Sequence, residues 1–144
     1  NFHILVCGIK KTNMKSVQKG KEQNNNNKKA EHSHDFYKAE GDEHTRARRF
    51  ELAEESYTWA ISMEYTQHAT WGNRSLVRLK LGNLDGSSCD AKRCTELAPN
   101  WPKGWARLGA AERARNNLNE SINAYKRAHE LEPSNKEFVR LLND

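Results

Sequence analysis

In the stretch NWPKGWARLGA, residues 100–110, Lys103 and Arg107 lie four residues apart among Trp101, Trp105 and Leu108. On a helix that spacing puts both cations on one face, where they repel slightly. Such a stripe is either solvated or held ready for an anion. An ammonium beside a guanidinium suits a carboxylate, through charge-assisted hydrogen bonds. Other reactive side chains carry weaker patterns. His32 and His34, in HSHD at 32–35, are two apart in a polar stretch and make a poor metal site. Cys7, Cys89 and Cys94 form neither a CxxC pair nor a zinc-ligand set, so reduced thiols are expected. NRS at 73–75 and NES at 119–121 fit the N-glycosylation pattern, but both fall at or within expected helices. No Ser/His/Asp set, glycine-rich phosphate loop or carboxylate pair can be assigned to acid–base work. The chain is therefore read as a non-enzyme with no cofactor, no metal and no small-molecule substrate.

The elements that position Lys103 and Arg107 recur every 34 residues. Tyr37, Trp71 and Trp105 are that far apart, as are Phe50, Leu84 and Leu118. So are Ala53, Ser87 and Ser121; Ala60, Cys94 and Ala128; Met63, Leu97 and Leu131; and Tyr65, Pro99 and Pro133. Small residues recur where two helices must approach closely, and large apolar ones where a groove must be filled. Each unit holds a helical apolar pattern, a polar break (RARR, GN, NN), a second helix and a turn. LAPN and LEPSN put proline just past a helix end. Four apolar or aromatic side chains, Trp59, Trp71, Trp101 and Trp105, could stack on bases, but the columns of Trp71 and Trp105 assign those two to packing between helices.

The net charge of +5 is unevenly placed. Residues 1–29 hold seven Lys and one acid, Glu22, whereas the rest holds seventeen Lys/Arg and eighteen Asp/Glu. A near-neutral body argues against a nucleic-acid binder, leaving any such role to the tail. KSVQKGKEQNNNNKKAEHSHD is poor in apolar residues and without period, so residues 1–32 are read as a basic, Asn/Lys-rich disordered tail or linker. FHILVCGI at 2–9 is too short to span a membrane and lacks the flanks of a signal peptide. A cytoplasmic location follows as the expectation.

The period and columns resemble those of tetratricopeptide repeats, in which helix–turn–helix units stack because one alone cannot hide its apolar stripe. The resemblance implies an all-α, right-handed superhelix over residues 33–144, with units at 34–67, 68–101 and 102–135 and a capping helix at about 135–143. Phe138, Leu141 and Leu142 would cover the last unit, and Ser134 with Glu137 forms a capping box to start that helix. Some positions depart from the family: Glu40 and Arg74 stand in column seven, where Leu108 is typical, and His44 and Arg78 replace the usual Tyr. The first helix of each unit would line a concave groove collecting Lys38, Asn73, Lys103 and Arg107.

YKAEGD (37–42), WGNRSLVRLKLGN (71–83) and NWPKGWARLGA further resemble the two-carboxylate clamp of chaperone-binding tetratricopeptide domains, as in the Hsp70/Hsp90-organising proteins. Members of that family hold the C-terminal Glu-Glu-Val-Asp of Hsp90 or Hsp70, gripping the last side-chain carboxylate and the chain-end carboxylate together. Carried over by position, the clamp would be Lys38, Asn73, Lys103 and Arg107. The fifth position, an Asn in the family, is Asp42 here. An Asn donates to the terminal carboxylate, whereas an ionised Asp only accepts and repels it. Asp42 could also neutralise Lys38, four residues earlier. The resemblance thus implies a co-chaperone adaptor for the tail of Hsp90 or Hsp70. The alternatives are a scaffold for another peptide or helix, with the clamp weakened by Asp42, or the docking part of a larger enzyme.

Overall fold

The computed structural model describes residues 32–144, which contain seven α-helices and no strand. They are α1 (His34–Arg46), α2 (Phe50–Met63), α3 (His68–Lys80), α4 (Leu84–Leu97), α5 (Pro102–Ala114), α6 (Leu118–Leu131) and α7 (Lys136–Asn143). The tail expected over 1–32, with its lysines and FHILVCGI, lies outside the described residues except for His32. The 34-residue period is kept in the helix starts: His34, His68 and Pro102 open the first helices, and Phe50, Leu84 and Leu118 the second. Within each unit the first helix packs on the second, and each second helix packs on the next first helix. The first helices also touch one another in sequence, α1 with α3 and α3 with α5, while α7 covers α6. The result is an all-α superhelical stack of three helix pairs with a capping helix. No helix among the described residues is long and apolar enough to cross a membrane.

Local chemistry explains the shared boundaries. The break between paired helices puts Arg48, Gly82 and Asn116, spaced by the period, in the left-handed region at φ 58°, 80° and 64°. Gly82 enters it without steric cost, Asn116 tolerates it, and Arg48 is strained there by about 1–2 kcal/mol. Ser33 caps α1 by accepting from the Phe36 amide at 3.2 Å, and Asn83 caps α4 by accepting from the Gly86 amide at 3.0 Å. At α7 the cap is Asn135, which accepts from the Glu137 amide at 3.0 Å, and not Ser134 as expected. Two good cap residues stand side by side, and the helix takes the later one.

The small-residue columns stitch each pair. Ser87 Oγ donates to the Ser75 carbonyl at 2.8 Å, and Ser121 Oγ to the Gly109 carbonyl at 2.7 Å. A Cβ on Gly41 would sit 2.5 Å from Tyr57, and one on Gly109 2.7 Å from Tyr125, so each ring lies directly on a bare helix backbone. The indoles in column four act alike: Trp71 Nε1 donates to the Tyr65 carbonyl at 2.7 Å and Trp105 Nε1 to the Pro99 carbonyl at 2.8 Å. Trp59 is buried and stacks on Tyr37 with centroids 5.9 Å apart. Ile61, Trp71 and Cys94 form the core between the first and second units.

The departures from the family are matched pairs. Column seven faces column twenty-three, sixteen residues on. In unit one Ser56 Oγ donates to Glu40 Oε2 at 2.9 Å. In unit two Arg74 donates to both oxygens of Asp90 at 2.8 Å, and both side chains are fully buried. Unit three carries Leu108 and Ala124 at these positions. Arg78, also buried, adds a 3.3 Å contact to Asp90 and a 3.6 Å one to Glu54. Burial, then the neighbouring Arg74, draw its guanidinium below the usual arginine value.

Between the second and third units the fully buried Glu112 accepts from Ser88 Oγ, from Arg115 Nη1 at 3.1 Å and from Asn117 Nδ2 at 2.7 Å. Burial pushes this carboxyl up. The Ser88 and Asn117 hydrogen bonds and the Arg115 charge outweigh that and bring it down to about 2. Cys94 is a free thiol in the core, pushed up to about 12 by burial. Of the three cysteines expected as reduced thiols, Cys94 is free, and Cys7 lies outside the described residues.

Candidate functional site

The three adjacent first helices carry all five residues singled out in the sequence: Lys38 and Asp42 on α1, Asn73 on α3, Lys103 and Arg107 on α5. They fall into two groups. In the first, three donors converge on the Asp42 carboxylate. Lys38 Nζ lies 2.9 Å from Oδ2, while the Tyr57 hydroxyl donates to Oδ1 at 2.6 Å and Asn73 Nδ2 to the same oxygen at 3.1 Å. Lys38 and Asp42 are each about one-third exposed, one helical turn apart. The neutralisation of Lys38 by Asp42 is therefore realised, and Asn73 is drawn in as well. Beside this group lies a cavity of about 230 Å³ lined by Asp42, Thr45, Arg46, Tyr57, Asn73 and Leu76.

Tyr57 went unnoticed in the sequence. Its ring covers Gly41, and its hydroxyl also lies 3.2 Å from Thr45 Oγ1. Burial, then the bond to Asp42, push its phenol well above the ordinary tyrosine value, so it stays a neutral donor. The available signal was the pairing of Tyr with Gly sixteen residues earlier, repeated at Tyr125 and Gly109.

The second group is Lys103 with Arg107, a positive pair one turn apart. Neither makes an ion pair with an acid among the described residues. Burial draws the Arg107 guanidinium below its ordinary value, while Cys94, Glu137 and Tyr57 act in the opposite sense. Even so lowered, a guanidinium remains charged at neutral pH. Lys103 and Arg107 line a cavity of about 370 Å³ between α5 and α7, together with Trp101, Pro102, Ala106, Phe138 and Leu141. Glu132, Asn135 and Glu137 complete its lining. A carboxylate with an apolar neighbour matches this chemistry: cations for the acid, aromatic and aliphatic walls for the rest.

The remaining candidates are structural. His34 is buried, with Nε2 2.8 Å from Thr70 Oγ1 and Nδ1 2.9 Å from Asp35 Oδ1. Among the described residues no group of three His, Cys, Asp or Glu side chains could hold a metal ion. Asn73 of the NRS motif has its amide turned to Asp42, and Asn119 of NES lies in the first turn of α6.

A family model described as tetratricopeptide repeat matches residues 102–135. The heat shock protein STI1 of Saccharomyces cerevisiae is 37% identical over 103 residues, 71% of this chain and 18% of its own length. The Hsp70-Hsp90 organizing protein of Triticum aestivum is 33% identical over 102 residues, again 71% of this chain and 18% of its own. The chain thus spans less than a fifth of these curated relatives. Among solved structures, the second TPR domain of human RPAP3 in complex with the HSP70 peptide SGPTIEEVD superposes with a TM-score of 0.71 at 27% identity, over 74% of this chain and 89% of that one. The first TPR of Spaghetti (RPAP3), bound to the HSP90 peptide SRMEEVD, shares the fold at a TM-score of 0.75 and 24% identity, over 78% of this chain and 90% of that one. With the period, the paired helices and these likenesses in agreement, the chain belongs to the tetratricopeptide-repeat family, and its domain is similar to those within the Hsp70–Hsp90 organising proteins.

Proposed function

We propose that the domain is a cytoplasmic co-chaperone adaptor that holds the acidic C-terminal tail of Hsp90 or Hsp70 in the groove formed by α1, α3 and α5. It binds and does not catalyse. The observation that carries this reading is the Lys103–Arg107 pair, positive, with no acid within ion-pair distance among the described residues and set in a cavity walled in part by Trp101, Phe138 and Leu141. The likeness to domains whose solved structures contain peptides ending in EEVD supports it. Each charge-assisted hydrogen bond to a ligand carboxylate is worth about 1.5–3 kcal/mol, so these two side chains would supply most of the polar binding energy. Lys38 and Asn73 stand at the remaining clamp positions, both bonded to Asp42 in the fifth. The bonding of Lys38 and Asn73 to Asp42 favours a second reading, a scaffold for a non-chaperone peptide.

Calorimetry of the chain with the free-acid peptide SRMEEVD tests the proposal. Arg107→Ala should weaken binding about tenfold or more, from the loss of one such bond. Added salt should weaken the wild-type complex, as it screens partly exposed charges. Binding that is unchanged in Arg107→Ala, or absent in the wild type, refutes the chaperone-tail reading.

A further inference from the structure

We infer that Asp42 supplies the protein's own carboxylate to one half of the groove, so that the site grips a single carboxylate of its ligand and needs no free chain end. This rests on the proposal that the groove holds acidic peptides, and it narrows what those peptides must present. Both oxygens of Asp42 are engaged, by Lys38 at 2.9 Å, Tyr57 at 2.6 Å and Asn73 at 3.1 Å. Those are the donors an incoming chain-end carboxylate would require. It would meet them already bonded, and it would meet a like charge at their centre. Displacing Asp42 would leave a carboxylate stripped of its partners in a site only about one-third exposed.

The other half is arranged oppositely. Lys103 and Arg107 have no acid within ion-pair distance among the described residues, and the cavity beside them is walled by Trp101, Phe138 and Leu141. Glu132 and Glu137 also line that cavity and disfavour a second anion within it. The recognised unit is therefore one acidic side chain with an apolar neighbour, at a chain terminus or inside a longer segment. Asp42 is the specificity-determining residue, because it removes the demand for a terminal carboxylate.

The test is calorimetry of the full 144-residue chain and of Asp42→Asn, each with SRMEEVD as the free acid and as the C-terminal amide. The amide keeps the last side-chain carboxylate and loses only the chain-end charge. The wild type should bind the two forms within about threefold, whereas Asp42→Asn should prefer the free acid by about tenfold or more, as one regained charge-assisted contact requires. A wild type that loses tenfold or more on amidation overturns the inference while leaving the peptide-binding function standing. If neither protein binds either peptide, both fall. If only Asp42→Asn binds, Asp42 blocks the groove and does not complete it, and the inference is overturned.

Discussion

Replacing the buried Arg74–Asp90 pair with the residues that unit three carries at the same two positions, Leu and Ala, should be far less damaging than removing Asp90 alone. In the native protein Asp90 receives two 2.8 Å bonds from Arg74 and a 3.3 Å contact from Arg78, and both Arg74 and Asp90 side chains have no exposed surface. Arg74 is further held by Thr58 Oγ1 at 3.2 Å and lies 5.1 Å above the Trp71 ring. Asp90→Ala leaves two guanidiniums facing each other without their shared anion, with only Glu54, 3.6 Å from Arg78, nearby. Breaking a buried pair in this way costs about 3–5 kcal/mol. That is a large share of the roughly 5–15 kcal/mol that holds an ordinary domain folded. Arg74→Leu together with Asp90→Ala removes the charge that had to be desolvated and leaves Arg78 beside Glu54. Substituting a buried pair by apolar residues is near neutral in favourable cases, so the double variant should recover at least about 2 kcal/mol over Asp90→Ala. Urea unfolding followed by circular dichroism, with wild type, both single variants and the double, closes the cycle. A double variant no more stable than Asp90→Ala would refute the account of columns seven and twenty-three as matched pairs.

Two other groups give pH and reactivity predictions. Glu112 is depressed from an ordinary 4.5 to about 2, so the stability it contributes is fully present above about pH 4.5 and is lost as pH falls towards 2. Glu112→Gln should be less stable at pH 7, and the gap to wild type, up to about 3 kcal/mol, should close across that window. A gap independent of pH would contradict the Ser88, Asn117 and Arg115 contacts as its source. Cys94, with its thiol pushed up to about 12, should resist alkylation at pH 8 in the folded chain and be labelled once urea unfolds it. Peptide mass spectrometry reads this directly, and rapid labelling of the native chain would show the core around Ile61 and Trp71 to be open.

The helices were legible because backbone geometry repeats wherever its constraints do. The 34-residue columns locate the tight approaches at Ala53, Ser87 and Ser121 and the polar breaks where Arg48, Gly82 and Asn116 turn left-handed. Arg74 and Glu40 looked like departures because a charge turned toward another helix makes sense only with its partner, and those partners sit sixteen residues on in another helix. The cap of α7 shows the usual limit at element ends, where Ser134 and Asn135 are equally able and tertiary packing selects. In the groove, the period assigns Lys38, Asp42, Asn73, Lys103 and Arg107 to the first helices of the three units, where they lie. Their division into a self-satisfied group and an open pair could not, because it depends on the Tyr57 hydroxyl and on α7 closing one side of the Lys103–Arg107 cavity.

The most direct test of the groove is to ask where an acidic peptide lands. Two-dimensional amide NMR of the ¹⁵N-labelled chain, titrated with SRMEEVD, should move the signals of α5 around Lys103 and Arg107 and of the facing turns of α7 near Phe138. The outward α6 residues Leu118 and Ile122 should stay still. Shifts centred on α6 and sparing Lys103 and Arg107 would mean that the acid is read elsewhere, and that the positive stripe is a solvated face.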